Sequence, residues 1–348
     1  MPRIVLPDRK DPRLRLAAVI ITLQVLGQTV LGFRVSIAQI LLSILACSVV
    51  EIALTYRKEK ALVWPASALL TGNSVAFILR TPGTRHGDWW ALNGIEWFLA
   101  ASLAGLLSKY IVRLPAPGGG RHLYNPSNLG LVLVFLLAGP GQVYPQPLWW
   151  GPLEAPVVAA LAVILAGGLW VLRPLRMLPL VGAFVATLFG LLGLLAARGG
   201  CFSAAWSQAP ICGGSYWADI CLSPELLVFV FFMITDPRTA PPRPRARLLY
   251  GVAVAAVAAG LIALEPSEYG IKVALLAALT VVCSLVPLLD RPARRALAGG
   301  RWSARTVATV AAAAAVLVAV PLGTAALATN QLALSSDLSP ARGGSGQP

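Results

Sequence analysis

The sequence has few charged residues, and acidic residues are especially scarce. Its 348 residues include 14 Asp or Glu and 28 Lys or Arg, a charged fraction of 12%, whereas a typical soluble domain has about 25%. Hydrophobic residues make up 57% of the chain, and the mean hydropathy is +0.75. This composition excludes a pair of ordinary soluble domains and predicts an all-α polytopic membrane protein.

The sequence also lacks the motifs of nucleotide chemistry and the usual ligand sets of metal centres. It contains no Walker loop and no Gly-x-Gly-x-x-Gly stretch, so nothing supports nucleotide hydrolysis or Rossmann-type binding. Its two histidines, His86 and His122, fall in loops predicted on opposite sides of the membrane, so no haem is expected between two spans. Without a Cys-x-x-Cys pair, no metal site is expected either.

Long apolar runs, by contrast, recur along the whole chain. A transmembrane helix needs about 20 mostly apolar residues, and the sequence offers eleven candidates, of which the eighth is the shortest. The candidate spans are residues 14–33, 35–56, 62–80, 91–108, 127–144, 155–172, 177–197, 222–235, 246–264, 270–289 and 306–328.

The basic residues lie mostly on one side of the predicted bundle. With the N-terminus in the cytoplasm, 22 of the 28 Lys and Arg residues fall in inside segments and 6 in outside segments, as the positive-inside rule requires. The net charge of +14 is therefore assigned to membrane topology, and no nucleic-acid partner is expected. Residues 1–15 are polar, and the apolar run after them is too long for a signal peptide. We therefore expect a multi-pass protein with a cytoplasmic N-terminus.

The five cysteines divide between the spans and one outside loop. Cys47 and Cys283 lie within spans, where packing is the expected role. Cys201, Cys212 and Cys221 share the loop 196–221, on the oxidising side of the membrane. One disulfide and one remaining thiol are expected in this loop, and the spacing leaves the pairing open.

Ionisable residues within the predicted spans are few, and they are functional candidates because charge is costly in a bilayer. Among the acidic residues, Glu51, Glu96 and Glu225 lie within predicted spans, and Asp236 lies directly after the eighth. For Glu51, an ion pair with Arg57 or Lys58 and a role in a site are equal alternatives. Snorkelling to the interface is favoured for Glu96, and capping of the eighth span for Glu225.

Asp236 differs from these residues because it stands between Thr235 and Pro237 at the end of the shortest span. Proline removes a backbone donor, and an aspartate there can accept hydrogen bonds from the backbone or from a ligand; a helix cap is the alternative. Interrupted spans point to binding sites in transporters. The third span is a second example, because it carries a proline at position 65 and the pair Thr71-Gly72.

The inside loop from residue 109 to residue 128 is a second polar segment. It holds Lys109, three glycines, His122 and then the run Tyr124-Asn125-Pro126. Asn125 before a proline favours a turn that starts the next helix. Its side-chain amide can hydrogen-bond both the donor and the acceptor edges of a heterocycle, and Tyr124 could stack on the ring. The alternative is a helix N-cap with an interfacial aromatic residue.

Four segments, in this order and on these sides of the membrane, resemble one known family. They are Thr71-Gly72, Ser108-Lys109-Tyr110, Gly120 to Pro126, and Phe232 to Pro237. Residues 14–290 are similar to the NqrB/RnfD family, whose members are membrane components of the sodium-translocating NADH:quinone reductase and of the Rnf electron-transport complex. The resemblance implies a ten-span protein of two inverted five-span halves, which binds flavin and passes electrons in the bacterial inner membrane.

With this resemblance the chain divides into five parts. They are a cytoplasmic tail (1–13), two five-span halves (14–144 and 145–290), a linker with an eleventh span (291–328) and a flexible polar tail (329–348). A trace of the inversion is visible in the sequence. Phe77 to Pro82 ends the third span and Phe232 to Pro237 ends the eighth, and the topology predicts that these two ends face opposite sides.

The resemblance also implies a set of flavin-contacting residues. The set is Thr71, Gly72, Lys109, His122, Tyr124, Asn125, Pro126, Thr235, Asp236 and Pro237. Within it, Asn125 and Asp236 would hold the edge of the isoalloxazine ring system, and His122 and Tyr124 would flank the ring. Thr71 and Gly72, in the third span, would line the path across the membrane midplane.

Two departures from the family bear on the cofactor. Family members attach FMN through the threonine of a Ser-Gly-Ala-Thr motif before the eighth span, where this chain has Ser203-Ala204-Ala205-Trp206. Because tryptophan has no hydroxyl to form a phosphoester, no covalent FMN is expected, and the resemblance implies noncovalent riboflavin or FMN. In addition, His122 stands where the family has asparagine.

Three functional hypotheses follow from the sequence. The first is a flavin-dependent electron carrier, an oxidoreductase subunit that needs redox partner proteins. It would couple to Na⁺ or H⁺ movement or serve natural-product synthesis, because solitary relatives occur in gene clusters for enediynes. The second is a cofactor-free transporter of a cation or a hydrophobic natural product. The third is a membrane scaffold for a soluble oxidoreductase.

Overall fold

The computed structural model describes residues 3–8, 11–114, 121–148 and 153–289, and these residues form a mostly helical bundle. The helices are α1 (Pro12–Thr29), α2 (Ile37–Glu59), α3 (Ala66–Ile78), α4 (Ile95–Ile111), α5 (Pro126–Ala138), α6 (Ala155–Leu175), α7 (Leu178–Ala197), α8 (Gly213–Cys221), α9 (Pro224–Val228), α10 (Pro244–Ile262) and α11 (Glu268–Leu289). A π-helical segment, Phe229–Met233, continues α9.

Short two-stranded ladders connect the loops at the ends of the bundle. One pair is parallel and brings the N-terminal segment against the start of α3, whereas three pairs are antiparallel. The pairs are β1 (Arg3–Val5) with β2 (Ala61–Val63), β3 (Leu79–Arg80) with β6 (Tyr144–Pro145), β4 (Arg113–Leu114) with β5 (Arg121–His122), and β7 (Cys201–Phe202) with β8 (Ile211–Cys212).

Each of the first ten predicted spans overlaps a helix of the structure. Among the described residues, six helical segments are long and apolar enough to cross a membrane, which is consistent with a multi-pass membrane protein. They are Ile37–Glu59, Ala155–Leu175, Leu178–Ala197, Gly213–Met233, Pro244–Ile262 and Glu268–Val286. The eleventh span, at 306–328, and the polar tail at 329–348 lie outside the described residues.

Polar residues that cap free backbone N–H groups mark the starts of several helices. Asp11 accepts a hydrogen bond from the backbone N–H of Arg13 at the start of α1. Ser36 and Gln39 form a reciprocal capping box at the start of α2, which satisfies two otherwise unpaired N–H groups. Asn125 caps α5, which has a proline at its first position, as the sequence around the Asn-Pro turn predicts.

The two spans with interrupting residues behave differently in the structure. In the third, Pro65 stands just before α3, and the helix continues through Thr71 and Gly72 without a break. A Cβ on Gly72 would lie 2.5 Å from the carbonyl oxygen of Ser43, so this glycine permits close packing of α3 on α2. The eighth predicted span falls in the helical segment Gly213–Met233, which is interrupted between α8 and α9. Leu222 and Ser223 separate these two helices, and the short α9 continues into the π-helical segment.

Close helix crossings hold the first half of the bundle together. At the crossing of α4 with α5, a Cβ on Gly130 would collide with the carbonyl oxygen of Ala101, and one on Gly105 with that of Pro126. Farther along the chain, α10 packs on both α7 and α11. Contacts between helices that are far apart in the sequence include α1 with α6 and α5 with α11.

A disulfide joins the two strands of the β7–β8 hairpin. It links Cys201 to Cys212, whose Cα atoms are 4.2 Å apart. Cys221 is a buried free thiol on α8, as are Cys47 and Cys283 within α2 and α11. The structure thus pairs Cys201 with Cys212 in the loop 196–221, where the sequence left the pairing open.

Candidate functional site

A cavity of about 890 Å³ opens at one end of the bundle. At this end α1, α3 and α5 begin, and α2, α4, α6 and the π-helical segment end. Helices α2, α3 and α4 line it mostly with polar side chains, whereas α6 and the π-helical segment contribute Val171, Leu175, Phe231 and Phe232. The volume lies within the range of about 300–1,000 Å³ that is typical of small-molecule and cofactor sites.

Eight of the ten residues that the resemblance assigns to flavin line this cavity. The eight are Thr71, Lys109, His122, Asn125, Pro126, Thr235, Asp236 and Pro237. The other two, Gly72 and Tyr124, have different positions. Gly72 is in the contact between α3 and α2, and the hydroxyl of Tyr124 lies 2.9 Å from that of Ser284 on α11.

Asn125 connects the start of α5 with the π-helical segment. Its Oδ1 accepts hydrogen bonds from the Ser127 hydroxyl at 3.0 Å and from the Asn128 backbone N–H at 3.2 Å. Its Nδ2 donates to the carbonyl oxygen of Met233 at 3.3 Å. Both lone-pair directions of Oδ1 are therefore in use. Within the part of the chain that the structure describes, Nδ2 makes this one bond, so its second N–H can donate to a ligand.

Asp236 terminates the interrupted span and faces a histidine. Its Oδ1 accepts a hydrogen bond from the Arg238 backbone N–H at 2.9 Å, and its Oδ2 lies 3.6 Å from His122 Nε2. The preceding Thr235 donates its hydroxyl proton to the carbonyl oxygen of Phe231. The carboxylate thus caps the turn and also contributes to the cavity wall. The sequence offered a cap and a ligand acceptor as alternatives, and this position is compatible with both roles.

A buried ion pair lies in the polar part of the cavity wall. The Nζ of Lys109 donates to Glu51 Oε1 at 2.6 Å and to the Ser67 hydroxyl at 3.0 Å. The Tyr110 hydroxyl donates to the same oxygen at 3.2 Å. These bonds tie α2, α3 and α4 together. The sequence proposed Arg57 or Lys58 as partners of Glu51, and the structure pairs it with Lys109 instead.

The N-terminal segment forms another part of the cavity wall. Asp8, Asp11 and Arg13 all line it, and Asp11 accepts two hydrogen bonds from the Nε of Arg13 at 3.0 and 2.9 Å. The hydrogen-bonded guanidinium of Arg13 lowers the pKa of the Asp11 carboxyl below its ordinary value. No sequence signal predicted this contribution, because the segment has the composition of a polar tail.

A second group of charges lies at the other end of the interrupted span. Lys272 is 2.8 Å from Glu225 and 2.7 Å from Glu268, and Glu225 also accepts a hydrogen bond from the Leu148 backbone N–H. A small cavity of about 50 Å³ adjoins this cluster, and Trp206 contributes to its lining. The Ser203-to-Trp206 stretch is therefore near the start of α9, away from the large cavity. Glu96, in the first turn of α4, is exposed.

The charges around the large cavity balance. Five acidic and five basic side chains line it, together with His122. Among the described residues, no group of three or more His, Cys, Asp or Glu side chains has an arrangement that could hold a metal ion. The wall presents apolar side chains beside hydrogen-bonding ones, an arrangement that suits an organic molecule with one apolar face and one hydrogen-bonding edge. No family model matches the chain, and no curated protein matches it.

Proposed function

We propose that this chain is an integral membrane electron-transfer protein that holds a flavin noncovalently in the large cavity. The observation that carries the proposal is the gathering of eight flavin-assigned residues around one cavity. These residues are spread from position 71 to position 237 of the sequence, so their convergence depends on the tertiary structure. Their assignment to flavin rests on sequence motifs and is independent of the geometry.

The shape and chemistry of the cavity fit a flavin. An isoalloxazine ring system has apolar faces and a row of hydrogen-bond donors and acceptors along one edge. Phe231 and Phe232 supply apolar contact area, and the free N–H of Asn125 and the carboxylate of Asp236 supply a donor and an acceptor. When bound, the flavin supplies reversible one- and two-electron chemistry, while the protein positions it and sets its electrostatic surroundings.

The packing of the helices is in keeping with a ten-span inverted repeat. If the first and second halves each contain five spans, α1 corresponds to α6 and α5 corresponds to α11. Both of these corresponding pairs are in contact, as a two-fold relation between the halves predicts. The start of α3 and the end of the π-helical segment also meet at the same cavity, so the two corresponding spans run in opposite directions. The proposed setting is the bacterial inner membrane, with redox partner proteins and Na⁺ or H⁺ coupling.

Flavin content of the purified protein tests the proposal directly. The full chain, purified in mild detergent, is expected to be yellow and to release riboflavin or FMN on acid denaturation. Asp236→Ala removes an acceptor from the cavity wall and is expected to lower the retained flavin by about tenfold. The control Asp88→Ala removes an exposed carboxylate outside the cavity and should leave flavin content unchanged. Colourless wild-type protein whose extract contains no flavin would overturn the proposal.

The interrupted eighth span favours transport as a second candidate function. The segment formed by α9 and the π-helical segment has the large cavity at one end and the small cavity at the other. Broken helices next to cavities are common at transporter binding sites. In this case the cargo would be a cation or a hydrophobic natural product, moved without a redox cofactor.

Flux measurements separate the two candidates. Proteoliposomes that contain only this chain and a membrane potential would support transport if they accumulated ²²Na⁺ or changed internal pH faster than protein-free vesicles. Flux that appears only after a reductant and a flavin are supplied would support redox coupling. The absence of flux under both conditions would remove the transport candidate for these ions.

A further inference from the structure

The Glu51–Lys109 pair connects three helices and also neutralises a buried cation of the cavity wall. The carboxylate of Glu51 balances the positive charge of Lys109. The side chain of Lys109 is 8% exposed and that of Glu51 is 15% exposed. Their 2.6 Å contact places the two opposite charges together. A ligand in the cavity therefore meets the pair as a dipole with no net charge.

Arg13 is a further basic residue of the cavity wall that has its own carboxylate partner. It forms an ion pair with Asp11. Across the whole lining, acidic and basic side chains are equal in number. A phosphate group beside Lys109 or Arg13 would therefore have to compete with the carboxylate that already binds each of these two cations, and a desolvated anion without its own cation is unfavourable.

From this arrangement we propose that Glu51 is a specificity-determining residue, which neutralises Lys109 and so makes the cavity selective for uncharged over phosphorylated ligands. The inference rests on the proposed function, since it concerns the flavin in the same cavity. Both forms of the ligand have a heteroaromatic ring system with a polyhydroxylated side chain. Riboflavin is the uncharged form of such a ligand, and FMN is its phosphorylated form.

The proposal predicts opposite effects for the two members of the pair. Glu51→Gln leaves Lys109 as an uncompensated positive charge, which attracts phosphate. Lys109→Met leaves an uncompensated carboxylate, which repels phosphate. The double variant Glu51→Gln/Lys109→Met has no charge at this position. If the pair acts through its net charge, the double variant should have the same ratio of FMN affinity to riboflavin affinity as the wild type. The net charge at this position is zero in both proteins.

Binding of riboflavin and FMN to full-length protein in detergent measures this selectivity. The expected result is that Glu51→Gln raises the ratio of FMN affinity to riboflavin affinity by about tenfold or more, since one net charge within about 8 Å has such an effect at an intermediate dielectric. Lys109→Met should lower the ratio, and the double variant should keep the wild-type ratio. The control Glu96→Gln makes the same substitution at an exposed carboxylate outside the cavity and should leave the ratio unchanged.

A uniform loss of affinity in all three variants of the pair, with the ratio unchanged, would overturn the proposal and assign the pair a purely structural role. The double variant protects the test against poor folding, because it removes both charges together and leaves no buried charge without a partner.

A flavin-independent measurement separates this inference from the proposed function. Pyridoxal 5′-phosphate followed by borohydride labels amines that a phosphorylated aldehyde can reach, and peptide mass spectrometry locates the label. We expect Lys109 to be labelled in Glu51→Gln and protected in the wild type, with the exposed Lys58 at the cavity labelled in both. Equal labelling of Lys109 in both proteins would overturn the role of Glu51. Lys109 could be labelled in Glu51→Gln and protected in the wild type, while the wild type binds neither riboflavin nor FMN. That combined result would refute the proposed function and still support the role of Glu51.

Discussion

The side-chain amide of Asn125 donates to the carbonyl oxygen of Met233 over 3.3 Å, and this bond joins the first residue before α5 to the last residue of the π-helical segment. The two residues are 108 positions apart in the sequence. The contact brings the Asn-Pro turn and the Thr-Asp-Pro turn to one cavity. The buried amide of Asn125 therefore links the two turns directly.

The Asn125 amide is expected to contribute to stability in two ways, through the cap of α5 and through its bond to Met233. Asn125→Ala removes the cap of α5, at a cost of about 1 kcal/mol, and also leaves the Met233 carbonyl without this donor, for about 1 kcal/mol more. Asn125→Asp keeps the capping oxygen and loses only the donor. Unfolding in detergent, followed by circular dichroism, should therefore rank the wild type above Asn125→Asp, and Asn125→Asp above Asn125→Ala. Equal stability of the three proteins would contradict the bond to Met233.

The crossing of α4 with α5 is expected to be intolerant of any side chain at Gly130. Gly130→Ala places a methyl group against the carbonyl oxygen of Ala101, so the two helices must move apart, at a cost of about 1–3 kcal/mol. Gly182 on α7 is a matched control, because a Cβ there meets no atom within 4 Å. Thermal unfolding should show a lower midpoint for Gly130→Ala and an unchanged or higher midpoint for Gly182→Ala. A lower unfolding midpoint for Gly182→Ala than for Gly130→Ala would contradict the close contact between α4 and α5.

The start of α1 is expected to lose stability in acid through Asp11, which precedes the helix. Because Arg13 lowers the pKa of this carboxyl in the folded protein, ionised Asp11 stabilises the fold at pH values above its unfolded pKa of about 3.9. This contribution is lost as the pH falls through the lower, folded pKa. Asp11→Asn keeps a capping oxygen and cannot titrate. Subtracting the stability of Asp11→Asn from that of the wild type should leave a difference that decreases with falling pH, whereas a constant difference would argue against the pair.

The β7–β8 hairpin is expected to depend on its disulfide. Cys201 and Cys212 are 11 residues apart, and closing a loop of this size contributes about 2–3 kcal/mol. Cys201→Ser/Cys212→Ser should therefore increase proteolysis of the hairpin relative to the wild type. Mass spectrometry of unreduced protein should find one linked peptide pair, and Cys221 should react with iodoacetamide only after denaturation because it is buried. A linked peptide that contains Cys221 would contradict the pairing.

The helical elements were accessible from the sequence because each depends on local properties. Apolar runs placed the first ten predicted spans, and every one of them overlaps a helix. Six helical segments among the described residues are long and apolar enough to cross a membrane. The Asn125-Pro126 turn and the end at Asp236 were also readable, since capping side chains and prolines act on neighbouring backbone groups. The interruption expected at Thr71-Gly72 was wrong, because a glycine can serve packing between helices as well as a break.

The partner of Glu51 illustrates what local reasoning misses. Lys58 lies on the same helix, seven residues away, which separates the two backbones by about 10 Å along the helix axis. Lys109 is 58 positions away in sequence, and the packing of α4 on α2 brings its Nζ to 2.6 Å from the carboxylate. Tyr124 is a similar case, because its ring position depends on α11, with which it shares the hydrogen bond to Ser284.

The sequence by itself determined the mostly helical architecture, the long apolar segments and the polar turns between them, because hydrophobicity and backbone capping act within a few residues. Only the tertiary structure decided that eight scattered residues surround one cavity, that Cys201 pairs with Cys212 and that Lys109 is neutralised by Glu51. These relationships join side chains from different helices. Their distances are set by the packing of whole helices, through close crossings such as the one at Gly130, and no spacing along the chain encodes them.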